Sequence, residues 1–269
     1  KPLTDYVNPM LGTATLWDSV DLGFKPTKRT WGAEVFPGSS LPNAMVQVSP
    51  VTKFHSGAGY QYEDSVIYGF THTNKGHWNL CHIPLLPVTG TPTPGDYCSP
   101  FSHERESAAP GYYQVFLDRY GVDAQLSSTL RCAFHKYTYP AGAAPAVLAD
   151  LQRSNEHVRA WDIRKEGDNV FAGWQQTGEK MYFYAVANRP VTGIEPVVEG
   201  DREVRIVRFG EGDGALELRI GFSFVSEKNA RENLEAEMLG KSFAEVRSEA
   251  TATWNDLLGR IRVEGGTER

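Results

Sequence analysis

The chain reads as a mainly β protein with helices confined to its C-terminal end. Three observations lead there. Aromatic residues make up 12% of the sequence, and 26 glycines with 16 prolines punctuate it, which suits strands and loops better than a helical bundle. Leu216, Leu218, Ile220, Phe222 and Phe224 alternate with other residues, the two-residue period of a half-buried strand. Phe243, Val246, Ala250, Trp254, Leu257 and Ile261 recur at spacings of three and four, the stripe of one helix face. At 269 residues the chain is one large domain or two small ones, and a single big sandwich is within the usual range.

Residues 1–44 read as loop, broken by Gly12, Gly23, Pro26, Gly32, Pro37, Gly38 and Pro42. A strand follows at 45–48. Residues 50–110 mix short strands with long loops, and the breakers from Pro92 to Asp96 exclude a strand there. Tyr113, Val115 and Leu117 alternate, Gly121 turns the chain, and a long strand region runs over 122–139. Ala146, Val147 and Leu148 form a short apolar strand, and further strands fall at 170–174, at 181–187 and around Val204 and Ile206. After Ser226 the character changes. Helix formers fill 229–239 up to a C-cap at Gly240, and Ser242 with Glu245 makes a capping box for a second helix. The expected division is a β domain over 1–225 and a helical linker over 226–269.

A net charge of −6 and a pI near 5.7 exclude duplex nucleic acid as the expected partner, since that needs a basic face. No apolar run approaches the length of a transmembrane helix, and no secretory leader is read at the start. Cys81, Cys98 and Cys132 match no zinc spacing. They read as three buried or half-buried thiols, with a Cys81–Cys98 disulfide as the variant for an exported chain.

Residues 59–90 hold the chemistry. Aromatic rings, hydroxyls, three imidazoles (His72, His77 and His82) and the Trp78 indole crowd into that window. Tyr, His and Trp each need a polar partner when buried, so this is poor material for a plain core. It suits a sugar site, where a ring stacks on a pyranose face and short polar groups read hydroxyls. Phosphate-loop, dinucleotide and nucleophile-elbow motifs are all missing. The histidine spacing of five is not that of a helical zinc pair. Asp18, Asp21, Glu34, Glu63, Asp64, Glu104 and Glu106 are the acids worth weighing, and spacing pairs no two of them across a bond. Trp161, Trp174 and Trp254 read as packing residues. Trp17, Trp31 and Trp78 lie in loop-like, glycine-rich surroundings. Trp31 and Trp78 are the candidates for stacking on a sugar, with Asn74, Lys75 and His77 placed to bond its hydroxyls; the plainer reading of that stretch is an exposed polar loop.

Several ordered stretches carry a resemblance. They are Asp-Tyr-Val-Asn-Pro-Met-Leu-Gly-Thr at 5–13, Val-Phe-Pro-Gly at 35–38, and Met-Val-Gln-Val-Ser-Pro at 45–50. Gly-Tyr-Gln-Tyr-Glu-Asp at 59–64 and Ile-Tyr-Gly-Phe-Thr-His-Thr at 67–73 follow. Then come Phe-Ser-His-Glu at 101–104, Ala-Pro-Gly-Tyr-Tyr at 109–113, Phe-His-Lys-Tyr-Thr-Tyr-Pro at 134–140, and the stretch 254–266 from Trp254 to Gly266. In this order they resemble the N-terminal domain of the glycoside hydrolase family 92 α-mannosidases. The chain departs from the family where Asn-Lys-Gly-His-Trp at 74–78 stands in place of a common His-Leu-Ser-Gly, and where 12–36 is longer and more charged.

The resemblance implies a large antiparallel supersandwich of the galactose-mutarotase type, whose C-terminal helices lead into an (α/α)-toroid. It implies calcium-dependent, inverting, exo-acting hydrolysis of α-mannosides in N-glycan degradation, with export to a periplasm or cell surface. The catalytic acid, the base and the calcium ligands belong to the toroid, so none is carried onto a residue here. The expected partners are a mannose-containing glycan and the C-terminal catalytic domain of the same protein. The sandwich is expected to contribute loops at the substrate mouth. A stand-alone, lectin-like module is the second reading. A mutarotase-like acid–base pair, tested on His103 and Glu104, is the third.

Overall fold

The structure, a computed structural model, describes residues 1–15, 23–25, 35–75 and 78–266, with the backbone alone described at 74, 75, 78 and 94. After a short 3-10 turn at Leu3–Tyr6 come β1 (Ser39–Ser40), β2 (Gln47–Val51), β3 (Val66–Ile67), β4 (Gly69–Thr71), β5 (Asn74–Lys75) and β6 (Trp78–Asn79). The middle of the chain gives β7 (Leu85–Thr89), β8 (Ser99–Pro100), β9 (Glu106–Ala109), β10 (Tyr112–Leu117), β11 (Val122–Ser128), β12 (Cys132–Thr138) and β13 (Pro145–Ala149). Then follow β14 (Ala160–Gly167), β15 (Val170–Gln176), β16 (Lys180–Ala187), β17 (Val191–Glu199), β18 (Arg202–Phe209) and β19 (Leu216–Ser223). Helices α1 (Glu227–Glu237) and α2 (Phe243–Leu258) close the order.

Two antiparallel sheets make the sandwich. One runs β1-β2-β4-β7-β13-β18-β17, and the other β14-β15-β16-β19-β12-β11-β10-β9. Period-two alternation decides which side chains fill the space between them. Met181, Phe183, Ala185 and Ala187 of β16 point into the core, while Tyr182, Tyr184 and Val186 stay half-buried on the other face. Strand β13 is buried at every residue because it sits mid-sheet between β7 and β18.

The outer face of the eight-stranded sheet is covered by the helices. Cys132 and Phe134 of β12 meet Leu234 and Met238 from the α1 end and Phe243 and Val246 of α2 in a second apolar cluster. Gly221 of β19 allows the approach: a Cβ there would lie 2.1 Å from the Ala230 carbonyl. Arg219 lies over the Phe134 ring at 4.4 Å and donates to the Lys241 carbonyl at 2.8 and 2.9 Å, pinning the turn between the helices. Ser226 caps α1, and Ser242 with Glu245 forms the expected capping box of α2.

The expectations hold for the β class, the late helices and the breaker-rich 3-10 turn at Pro94–Asp96. Four details differ. The strand near 45 starts at Gln47, because Met45 and Val46 both give their N–H to the Leu130 carbonyl instead of a ladder. The region 122–139 is two strands, split by a turn in which Thr129 N–H donates to the Cys132 carbonyl. Ile261 is 81% exposed, since α2 ends at Leu258 and the stripe outlasts the helix. The Cys81–Cys98 disulfide is not formed: Cys81 is buried against Val51 and Phe54, and all three thiols are free.

Candidate functional site

Within the window singled out in the sequence, the stretch expected as a loop holds a two-stranded ribbon, β5 with β6, in which Asn74 faces Asn79 and Lys75 faces Trp78. Asn74, Lys75 and Trp78 are thus brought together. His77 and Trp31 lie outside the described residues, as do Trp17, Asp18, Asp21 and Glu34.

Two paired residues per strand do not hold a ribbon by themselves. A buried polar clamp holds this one. Asn79 is fully buried; its amide donates to the Ala58 carbonyl at 3.3 Å, and its Oδ1 accepts the Cys81 N–H at 2.8 Å. Asn155 donates to the Asn79 carbonyl at 2.6 Å, and its Oδ1 accepts the His55 N–H at 2.6 Å. The Ser154 hydroxyl donates to the Leu80 carbonyl at 2.6 Å. Gly59 makes room: its φ is +75°, and a Cβ would stand 2.4 Å from the Asn79 amide nitrogen.

Backbone strain concentrates in the same place. His55, Cys81 and Ile83 adopt left-handed φ values of 62°, 53° and 54°. A β-branched residue such as Ile83 rarely does so. The surroundings impose it, since Ile83 N–H donates to Gln175 Oε1 at 2.8 Å, and Gln175 in turn donates to the carbonyls of Leu151 and Arg153. Strain of this kind gathers at working sites.

The histidines beside the ribbon are satisfied and buried. His82 Nδ1 lies 2.8 Å from the Thr73 hydroxyl, and its Nε2 lies 3.1 Å from the Thr177 hydroxyl and 3.5 Å from Glu156. Burial lowers its pKa, against the pull of Glu156. His72 and His135 meet at 2.9 Å between their Nε2 atoms, and His135 Nδ1 faces the Tyr137 hydroxyl at 2.7 Å. Burial drives the His72 pKa down to about 3 and that of His135 well below its ordinary value. These rings are neutral core members. Among the described residues no three His, Cys, Asp or Glu side chains converge as metal ligands.

The remaining acids sort plainly. Glu63 accepts from Thr15 and Asp64 from Thr52, while Glu104 is exposed. Glu104 does not pair with His103. The 3-10 turn at His103–Arg105 brings residues three apart onto one side, so His103 meets Glu106 instead. Trp174 sits half-buried under Lys180, 3.8 Å from its ring centroid, rather than in the core. Trp161 packs against the core under Arg205, and the Trp254 indole donates to the Ser40 carbonyl at 2.7 Å. The sequence reading missed Asn79, Asn155 and Gln175. Asn79 lay one residue from a chosen Trp and bonds Cys81 locally, but its partners at 58 and 155 are set by the fold alone.

The model of the glycosyl hydrolase family 92 N-terminal domain matches residues 6–233. The chain belongs to glycosyl hydrolase family 92. The family's catalytic-domain model matches residues 229–269, which hold α2 and most of α1. A family GH92 α-mannosidase of Bacteroides thetaiotaomicron superposes with a TM-score of 0.84 at 25% identity, over 99% of this chain and 39% of that one. A family GH92 inverting mannosidase of Bacteroides thetaiotaomicron VPI-5482 has a TM-score of 0.82 at 24% identity, over 99% of this chain and 37% of that one, a likeness of fold. An uncharacterized secreted glycosidase of Arthroderma benhamiae is 24% identical over 97% of this chain. This family 92 chain spans 38% of that relative's length. Among its described residues, no helix is long and apolar enough to cross a membrane.

Proposed function

We propose that this chain is the sandwich of an exported, calcium-dependent, inverting exo-α-mannosidase, and that its ribbon forms part of the substrate mouth. The observation that carries the role of this part is the clamp. A ribbon too short to keep its own shape is held by the buried Asn79, the half-buried Asn155 and strained backbone, which serves a surface that must present side chains in fixed positions. Family membership and the likeness to an α-mannosidase support the chemistry.

In this reading Trp78 and Trp31 stack on a sugar ring, and Asn74, Lys75 and His77 bond its hydroxyls. Inversion needs one carboxylic acid to protonate the leaving oxygen and one carboxylate to activate a water on the opposite face. Both are assigned to the catalytic domain. The described residues of this chain hold no cluster that fits a calcium site, and in this reading the ion belongs to the catalytic domain too. What the sandwich adds is binding at the outer edge of the site.

The test is hydrolysis of an aryl α-mannoside by the whole protein, with and without a calcium chelator, following the anomer released first by NMR. The expected result is β-mannose, lost on chelation and restored by calcium. Mannoside binding without any turnover would replace this reading with that of a sugar-binding module.

A further inference from the structure

A polar groove of about 900 Å³ opens beside the clamp, between residues 152–162 and β18. Arg153, Arg159, Arg202 and Arg205 line it together with His55 and His157. Each groove carboxylate already has a partner. Glu203 pairs with Arg205, and Asp162 lies 3.3 Å from Arg164. Glu156 accepts the Thr177 hydroxyl at 2.6 Å. Arg202 is held by the buried Asp150.

Among the described residues neither Arg153 nor Arg159 makes an ion pair with a carboxylate, and the one carboxylate that acts on Arg153 from nearby, the buried Asp150, is bonded to Arg202. Arg159 is exposed, its backbone fixed by an N–H bond to the Gln176 carbonyl at 2.8 Å. Arg153 is half-buried. Its guanidinium lies 4.1 Å from the Phe54 ring centroid and 5.1 Å from that of Tyr68, and its side-chain N–H groups meet no protein acceptor, yet none is sealed from solvent. The backbone beneath is locked, since Gln175 holds the Arg153 carbonyl at 2.9 Å and Ser154 is tied to Leu80. A guanidinium held on aromatic faces, with its fork of donors free, is ordered in advance for a planar or tetrahedral oxyanion. Much of the entropy that binding would otherwise remove is already gone.

We propose that this groove is an oxyanion-binding site, taking a phosphate or carboxylate group on Arg153 and Arg159. The group comes either on a sugar or as a free anion. A sugar has the room, since the volume lies within the range of small-molecule sites, and Gln152 and Trp161 line the same walls. The site is separate from the ribbon and does not depend on the mannosidase reading.

Isothermal titration of the whole protein tests it, with glucose 6-phosphate, glucuronate and inorganic phosphate as probes and glucose as the neutral control. No turnover enters, so failure of this proposal and failure of the proposed reaction are distinct. The charged probes are expected to bind and glucose not, and binding should weaken as salt rises from about 20 to about 200 mM. R153Q and R159Q should each weaken it about tenfold. Glucose 6-phosphate binding about tenfold tighter than inorganic phosphate assigns the site to a sugar-borne anion, and equal affinity assigns it to a free one. No binding of any charged probe, equal binding of glucose and glucose 6-phosphate, or unchanged affinity in both variants overturns the proposal. Arg159 is exposed and its replacement leaves the fold intact, so R159Q decides alone where R153Q fails to fold.

Discussion

His103 Nδ1 lies 2.5 Å from Glu106 Oε2, and the Glu106 side chain is wholly buried. The same carboxylate accepts the hydroxyls of Tyr60 at 2.9 Å and Tyr113 at 2.5 Å. His103 Nε2 faces the Tyr62 carbonyl at 2.7 Å, and its ring stacks on Tyr62 at 3.9 Å. One carboxylate therefore ties the loop carrying Tyr60 and Tyr62, the 3-10 turn and β10 together. It works as a structural node and not as the acid or base of a local reaction.

Removing that node strands three donors. E106A should lower unfolding stability by about 3 kcal/mol, with E106Q costing less because it keeps one acceptor. Urea unfolding followed by tryptophan fluorescence measures both. A change below about 0.5 kcal/mol for E106A would refute the node.

Acid should weaken the fold through His72 and His135. Burial lowers both pKa values, that of His72 to about 3, from an ordinary 6.5. Above pH 6.5 the folded and unfolded forms are both neutral and nothing is lost. As pH falls below that, the unfolded chain takes up protons that the folded one refuses, so stability drops by about 1.4 kcal/mol per pH unit for each ring. Melting temperature recorded from pH 8 to 4 should fall steadily below about 6.5. H72N should flatten the slope; an unchanged slope counts against the pair as its source.

The clamp should control substrate affinity more than turnover. N79A removes the bonds that hold β6, and W78A removes the proposed stacking ring. Each should raise KM for an α-mannoside about tenfold and leave kcat within about threefold, the pattern of binding shared by ground and transition states. Equal losses in kcat and kcat/KM would place the ribbon at the reacting centre instead.

Helix packing can be read separately. Phe243 is 5% exposed and meets Tyr112 and Phe134 edge-on, with ring centroids 6.3 and 5.2 Å apart. F243A should cost about 3 kcal/mol, and S242A, which loses the capping box, about 1 kcal/mol. Thermal unfolding of the two variants gives the order, and a reversed order would mean that the cap and not the cluster anchors α2.

The fold was legible where local pattern and burial agree. Strand β19 announces itself because Leu216, Leu218, Ile220 and Phe222 all face the core. The capping box at Ser242 is a four-residue signal and needs no partner from elsewhere. Strand β14 shows in the sequence only as a strand context at Trp161, without bounds, because only Ile163 of its residues is buried and charged Asp162, Arg164 and Glu166 fill the outward positions. Strand β17 was missed for a similar reason, with Pro196 and Gly193 inside it at a sheet edge. The stretch 74–79 reads as a loop in the sequence, because two residues per strand are too few to show a period, and it is a ribbon. Its clamp was not legible, since Asn155 reaches Asn79 from 76 positions away.

Thr4 and Asn255 exchange hydrogen bonds across 251 positions, at 3.1 Å from the Thr4 N–H and 3.3 Å to its hydroxyl, and Trp254 reaches Ser40 across 214. During synthesis Thr4 and Ser40 thus wait for partners made more than 200 positions later. The opening 3-10 turn and the carbonyl of β1 find these partners only after α2 has emerged, and α2 lies in the stretch that the catalytic-domain model matches. The sandwich therefore completes this edge only once the stretch that matches the catalytic-domain model has emerged, which ties that stretch and the sandwich into one order of assembly.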